Sequence, residues 1–561
     1  MTKKRMLRIV CWSLIILFPL SELVIGYDSS DIGFILNQYE FVFTDCNTVY
    51  LPLLFTDICG NLFLRVFRFF SMPEYLAFEV LWALCVYYLC FMSERLYRKY
   101  YDNELILPAL AAAVIFAKTN LNFFMYNTTV AVFSLTSLYF FVVGVNEKKN
   151  TSLGISVIFL CFSVLSKISA AIQIVMYVVL FYDFYIRKDK KLFARQLFSC
   201  LAGGIIGLAL CAAVIASSCG VDKYLTMLGD MFLYAGNSAD GHTMGNMILI
   251  NIKGVMHGFV WLVLAVGTVL LFRIKPFERF SVAVGRVLAV LACVYVVGGV
   301  LNACGMEVVP SIYRLTWRFF ETAAVMTALM YVCAVAIAFD KTYSYNYKRL
   351  VIASVVMTCC MPIGSNVGIT HICNESFFVM PMIFMLARDR LFGGGKPWKN
   401  MSTYIAAAFA VCMLAISVTQ AFYRSASVKD NADMSTNTAI AQLKYIRSDR
   451  TESEALEELL SFIADGGYES AVAVGSIPVV NYLAKIKPGV DSCGGWIETD
   501  YVTAEDISRD LHKNMPLIIV SNSEFSDDTA KNRAIEEFIK EQNYVETFSD
   551  WKFTVYDKND R

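Results

Sequence analysis

A succession of apolar runs, most of them near the length of a bilayer crossing, limits this chain more than any motif does. They fall at 6–25, 75–93, 104–118, 123–143, 152–166, 168–185, 196–217, 255–272, 284–303, 319–339, 350–364, 375–387 and 402–420. An α-helix rises about 1.5 Å per residue, so about 20 apolar residues cross a hydrocarbon layer about 30 Å thick. With 57% hydrophobic residues the chain has too little polar surface to cover a soluble globule. The expected architecture is an α-helical polytopic membrane protein with about 13 transmembrane helices.

Lysine and arginine set the orientation. With the N-terminus inside, the cytoplasmic loops hold Arg95-Leu96-Tyr97-Arg98-Lys99, Lys148-Lys149, Arg187-Lys188-Asp189-Lys190-Lys191, Arg273 to Arg286, Lys341 to Arg349 and Arg388 to Lys399. Every strong basic cluster then lies inside, and the opposite orientation would export them all. The basic start, Met1 to Arg8, leads into an apolar run with no small-residue cleavage site before Tyr27, and reads as a retained first span. Lys and Arg (48) balance Asp and Glu (48), so no global basic field recruits nucleic acid, which is not an expected partner.

This orientation places the loop 27–74 outside. Apolar residues spaced helically in 49–55 and 62–70 predict helices lying in the membrane interface. Three more outer segments carry His242, then Arg314 and Arg318, then Gly364-Ser365-Asn366-Val367-Gly368 with His371. Beyond 421 charges recur every few residues and no run is long enough to span. Helices are predicted over 456–463, 477–486 and 527–542, strands over 471–474 and 517–520, and a closing hairpin over 544–556. An odd number of spans puts this small α/β domain outside, giving a membrane domain over 1–421 and an extracytoplasmic domain over 422–561. Its Val474-Gly475-Ser476 turn either binds an anion through free amides or simply joins strand to helix. Of 17 cysteines most fall in spans, and the outer Cys46, Cys59, Cys219, Cys304, Cys373 and Cys493 are compatible with disulfides and with free thiols.

The chain has no HExxH, GxSxG, Walker A or CxxC, so any chemistry rests on acids, amides and cations at the outer face. Directly after the first span comes Tyr27-Asp28-Ser29-Ser30-Asp31-Ile32-Gly33-Phe34, two carboxylates at a bilayer edge, where desolvation is costly unless the acid is wet, paired or functional. They also have a plain reading as loop solvation. Lys167, in Leu165-Ser166-Lys167 between two apolar runs, is a lone cation that needs a partner. Arg314 and Arg318 read equally as snorkelling anchors, and His242 and His371 as loop histidines.

The many spans, the acidic residues opening the first outer loop and the outer C-terminal domain together resemble the GT-C glycosyltransferase superfamily, which includes the protein O-mannosyltransferases and aminoarabinose transferases. The local carriers are 27–34, Phe124-Met125-Tyr126-Asn127-Thr128 and Leu165-Ser166-Lys167, although the adjacent Asp-Glu pair of better-known members is missing. The resemblance implies a multi-pass enzyme of the bacterial plasma membrane. It would move sugar from a polyprenyl-phosphate donor held among membrane lipids to a glycan, lipid or protein acceptor at the outer face. It also implies Asp28 or Asp31 as base, Lys167, Arg314, Arg318 and His242 on the donor phosphate, and Tyr126, Asn127, Ser365 and Asn366 on sugar or acceptor. No cofactor is expected, although two acids three residues apart can share a divalent cation. The alternatives are a transporter or flippase for a lipid-linked or small polar solute, and a non-catalytic envelope assembly factor.

Overall fold

The computed structural model describes residues 3–20, 23–24, 26–101, 106–116, 123–237, 245–254, 256, 263, 337–338, 341, 343–364, 377–379, 434–499, 502–523, 525 and 529–558. Helix α1 (Lys3–Leu20) matches the first apolar run, and α2 (Asp31–Phe41) and α3 (Leu54–Phe69) fill the outer loop. They are followed by α4 (Glu74–Tyr100), α5 (Ile106–Phe116), α6 (Tyr126–Glu147), α7 (Asn150–Ser166), α8 (Val178–Arg187), α9 (Lys190–Ser218), α10 (Val221–Asn237) and α11 (Tyr345–Cys360). Among the described residues four helices are long and apolar enough to cross a membrane: Glu74–Tyr100, Tyr126–Glu147, Ile168–Arg187 and Lys190–Ser218. The runs expected at 255–272, 284–303, 319–339, 375–387 and 402–420 lie wholly or largely outside the described residues, so the expected 13 crossings are not counted here.

Two of these helices run differently from the expectation. Helix α4 continues beyond 93 to Tyr100, because Arg98 and Lys99 in its last turn complement the negative end of the helix dipole. The span expected at 168–185 is broken: Ile168–Tyr177 is a 3-10 segment that becomes α-helical only from Val178. A 3-10 run of that length is uncommon, and irregular backbone at membrane depth is tolerated where it is buried in protein or lines a cavity.

Helices α7 and α9 pack through small residues. A Cβ on Gly203 would overlap the backbone of Gly154, and one on Gly207 would meet Cys161 Sγ at 2.7 Å. Close backbone approach of this kind drives helix association in lipid, where no hydrophobic force operates between helices. Gly203→Ala should cost about 1–3 kcal/mol by overpacking, read as a lower unfolding temperature of the detergent-solubilised protein. Gly229→Ala on α10, with open space around the position, should leave that temperature unchanged.

Helix α3 is amphipathic as the spacing predicts. Leu62, Val66, Phe69 and Phe70 are exposed on one side, with Phe69 at 81%, while Thr56, Asp57, Gly60, Asn61 and Leu64 are buried on the other.

The C-terminal part is an α/β sheet unit. Strands β1 (Met434–Thr436) and β2 (Arg447–Asp449) form an antiparallel pair. Then come α12 (Arg450–Gly466), β3 (Ser470–Val474), α13 (Val479–Ala484), β4 (Lys487–Pro488), α14 (Ala504–Asn514), β5 (Leu517–Ser521), α15 (Ala530–Glu541), β6 (Tyr544–Ser549) and β7 (Phe553–Lys558). The sheet order is β4-β3-β5-β7-β6, with β4, β3 and β5 parallel and β7 and β6 antiparallel. The five-residue strands β3 and β5 are almost wholly buried, which is why they read in sequence as continuous apolar runs. Helix α14 escapes the sequence reading because it is strongly polar; the reciprocal capping box of Thr503 and Asp506 starts it.

One hydrophobic core joins this unit to the first outer loop. Ile32, Leu36 and Tyr39 of α2 share it with Leu459, Ala471, Val479 and Tyr482 of the C-terminal part. Tyr482 Oη is hydrogen-bonded to buried Glu74, whose carboxylate also accepts from Arg68 Nε at 2.7 Å, and Lys487 pairs with Asp45.

Candidate functional site

The described residues gather chemistry where the break in the 168–187 span meets the start of α6. Helix α7 stops at Ser166, and Lys167 turns extended, φ −160° and ψ 114°, before the 3-10 segment begins. Its Nζ donates to Asn127 Oδ1 at 3.2 Å and stands 5.3 Å from the ring centroid of Tyr126. A lysine at a span end is stable when a polar partner and an aromatic face replace lost water, and here both come from the first turn of α6. Sequence reasoning singled out Tyr126, Asn127 and Lys167 separately, and the structure brings the three together.

Lys167 and Asn127 line a small cleft completed by Val130, Ser169, Ala170, Gln173 and Met361, with about 10 Å³ of enclosed space, room for about one water molecule. Gln173 is buried at its base, accepting from Ser134 Oγ at 2.7 Å while its Nε2 meets Met361 Sδ at 3.2 Å. Gly364 closes against Ser169: its φ is +96°, and any Cβ there would overlap the Ser169 side chain. The glycine that opens Gly364-Ser365-Asn366-Val367-Gly368 thus allows a close approach to Ser169. Ser169, Gln173 and Met361 were missed, since in sequence they sit inside apolar runs with no distinguishing period.

The two aspartates divide. The Asp28 N–H donates to Tyr75 Oη at 3.1 Å, and its Oδ1 accepts from the Ile32 N–H at 2.9 Å and from Ser30 Oγ at 3.4 Å. Asp28 therefore closes the turn that enters α2. Asp31 begins α2, where the helix dipole favours a carboxylate. Burial, helped by the charge of Asp28, outweighs that and pushes its pKa up to about 6. Neither aspartate lines the cleft that Lys167 lines; Tyr75, which accepts from the Asp28 N–H, has its ring centroid 5.0 Å from that of Phe123, three residues ahead of Tyr126. Arg314, Arg318, His242, His371, Ser365 and Asn366 lie outside the described residues.

Two further acids bear on the reading. Asp57 of α3 is fully buried, neither carboxyl oxygen has a hydrogen-bond partner among the described residues, and burial raises its pKa well above the ordinary range. A buried unpaired carboxylate is too costly to keep, so Asp57 is held as the neutral acid. Nothing in the apolar stretch around it signals this. In the C-terminal unit, Gly475 and Ser476 are left-handed at φ +92° and +53°, and the Gly475 N–H donates to Glu498 Oε1 at 2.6 Å. The turn considered for anion binding thus already holds a carboxylate of its own chain. Of the outer cysteines, Cys46, Cys59, Cys219 and Cys493 are free thiols. Among the described residues no group of three or more His, Cys, Asp and Glu gathers as a metal site.

Fold and cleft together define a mostly helical membrane protein with a small cleft where the 168–187 span breaks and an α/β unit packed on the loop that follows α1. No protein-family model matches the chain, and no curated protein does. Among solved structures, ArnT from Cupriavidus metallidurans bound to undecaprenyl phosphate is similar over 98% of this chain and 97% of its own, with 12% identity and a TM-score of 0.41. The oligosaccharyltransferase of Archaeoglobus fulgidus tethered with an acceptor peptide is similar over 98% of this chain and 74% of its own, with 12% identity and a TM-score of 0.47. A likeness this distant carries no residue correspondence into the site.

Proposed function

We propose that this chain is a membrane glycosyltransferase of the GT-C kind that moves a sugar from a polyprenyl-phosphate-linked donor to an acceptor hydroxyl at the outer face. The observation that carries the reading is Lys167, a cation held by Asn127 and Tyr126 beside a small cleft of mixed polar and apolar lining. A lipid-held phosphate arrives at that depth, and a cation there stabilises it as it departs. In the proposed reaction the acceptor oxygen attacks the anomeric carbon, its proton passes to a carboxylate, and the bond to phosphate breaks with the electron pair leaving on oxygen. Asp31 suits the base because its raised pKa is closer to the working pH, whereas the Asp28 carboxylate is engaged in holding its turn.

Tyr126 and Asn127 would contact the sugar or acceptor, and Ser365 and Asn366 remain proposed contacts on their sequence positions alone. Arg314, Arg318 and His242 remain proposed donor contacts on their sequence positions alone. The reading needs no metal and keeps the N-terminus inside and residues 422–561 outside. Asp28→Asn and Asp31→Asn test it. Normal expression with loss of sugar transfer and accumulation of lipid-linked sugar supports the enzyme, and full complementation by both variants sinks it. The broken span favours a second reading, since transporters build their sites from interrupted helices; solute flux that survives both substitutions would select it.

A further inference from the structure

We propose that the C-terminal α/β unit is a working part of the candidate site, clamping α2 so that Asp31 at its start is aimed, with Asn37 as the positioning residue. The inference rests on the reading of Asp31 as base. Ser29, Gly33 and Asn37 recur every four residues, which places them on one side of the turn and helix that carry Asp31. All three meet the start of α13, at Pro478 and Val479. The Val479 N–H donates to the Ser29 carbonyl at 3.1 Å, a Cβ on Gly33 would overlap the Val479 backbone, and Asn37 Nδ2 donates to the Pro478 carbonyl at 2.8 Å.

The same Nδ2 also donates to the Gly494 carbonyl at 3.0 Å, so one side chain, 1% exposed, ties α2 to two separate turns of the sheet unit. Gly494, left-handed at φ +56°, returns its N–H to the Thr48 carbonyl at 2.7 Å, and next to it Trp496 sets its ring 6.0 Å from that of Phe34. On the near side of the acids the chain is held again: the Gly26 N–H donates to the Arg447 carbonyl at 2.7 Å and the Arg447 N–H to the Val24 carbonyl at 2.8 Å. The acidic turn is thus bolted to the C-terminal unit before Asp28 and after Asp31. Packing alone would tolerate sliding of α2, whereas these bonds fix both its rotation and its height, the accuracy a general base requires.

The test uses the full chain in phospholipid nanodiscs and compares wild type with Asn37→Asp, which keeps the shape but turns a donor toward two carbonyls into an acceptor, and with Gly33→Ala. Carbodiimide-driven coupling of glycine ethyl ester to Asp31, read by mass spectrometry, reports how the carboxyl is held without any substrate. Hydrogen exchange over 471–483 reports whether the sheet unit is folded. Expected is an Asp31 coupling rate changed at least about five-fold with exchange over 471–483 unchanged, and a fall in kcat without a matching rise in KM for undecaprenyl-phosphate-linked hexose as probe donor. Unchanged coupling overturns the proposal, and so does loss of protection over 471–483 in both variants, since a residue that only aims α2 is not needed to fold β3. If coupling changes but Asp31→Asn still transfers sugar, the clamp stands and the reading of Asp31 as base falls. If Asp31→Asn is inactive but coupling is unmoved, the reading stands and the clamp falls.

Discussion

Lys167→Met should lower kcat/KM for a polyprenyl-phosphate-linked donor by about 10²–10³-fold, the effect of removing one charge-stabilising group from a water-poor site. The loss should be kinetic rather than structural. Nζ makes a hydrogen bond to Asn127 and an aromatic contact to Tyr126, and replacing a cation near lipid by an apolar chain of similar length relieves desolvation. Thermal unfolding should therefore stay within about 1 kcal/mol of wild type or move upward. Lys167→Arg should recover only part of the activity, because the planar guanidinium keeps the charge but not the compact geometry that fits between Tyr126 and Asn127. Donor turnover by Lys167→Met at the wild-type rate would remove the phosphate role.

Asp31→Asn should cut kcat by about 10²–10⁴-fold, the range for loss of a general base. In the wild type, turnover should rise with pH through about 6, because a base must be deprotonated and burial beside Asp28 holds the Asp31 proton to that point. Stability should move the other way. With a folded pKa of about 6 against an unfolded value of about 3.9, the folded state binds the proton more tightly. The stabilising contribution is fully present below about pH 4 and is lost as pH rises to 6. At pH 8 the ionised group then costs about 3 kcal/mol, so Asp31→Asn should unfold at a higher temperature than wild type at pH 8 and at the same temperature at pH 4. Activity lost and stability gained at one residue is the mark of a site kept strained for function. Asp28→Asn, by contrast, retains an oxygen to accept the Ile32 N–H and should change stability little. A wild-type pH profile flat from 5 to 8 would exclude Asp31 as the base.

Local patterns carried a large part of this protein by themselves. Continuous apolar runs marked α1, α4, α6, α7 and α9, because a helix in lipid satisfies its own backbone and needs only length and hydrophobicity. Helical spacing gave the amphipathic α3, and short apolar runs flanked by charge gave β3 and β5. Residue type alone placed Asp28, Asp31 and Lys167 among the candidates, since charges beside spans are expensive, and the family resemblance added Asn127. Tertiary structure decided what those residues do. Lys167 meets Asn127 across 40 residues and Asn37 meets Pro478 across 441, and no sequence period encodes a pairing at such separations. Packing made Asp28 a turn-closing residue, half-buried Asp31, left Asp57 without a partner among the described residues and filled the Gly475 turn with Glu498. The 3-10 stretch at Ile168–Tyr177 reads as an ordinary apolar span because hydropathy registers only the burial of side chains. Backbone irregularity, and the cleft that it lines, follow from the neighbours that satisfy the freed hydrogen-bonding groups.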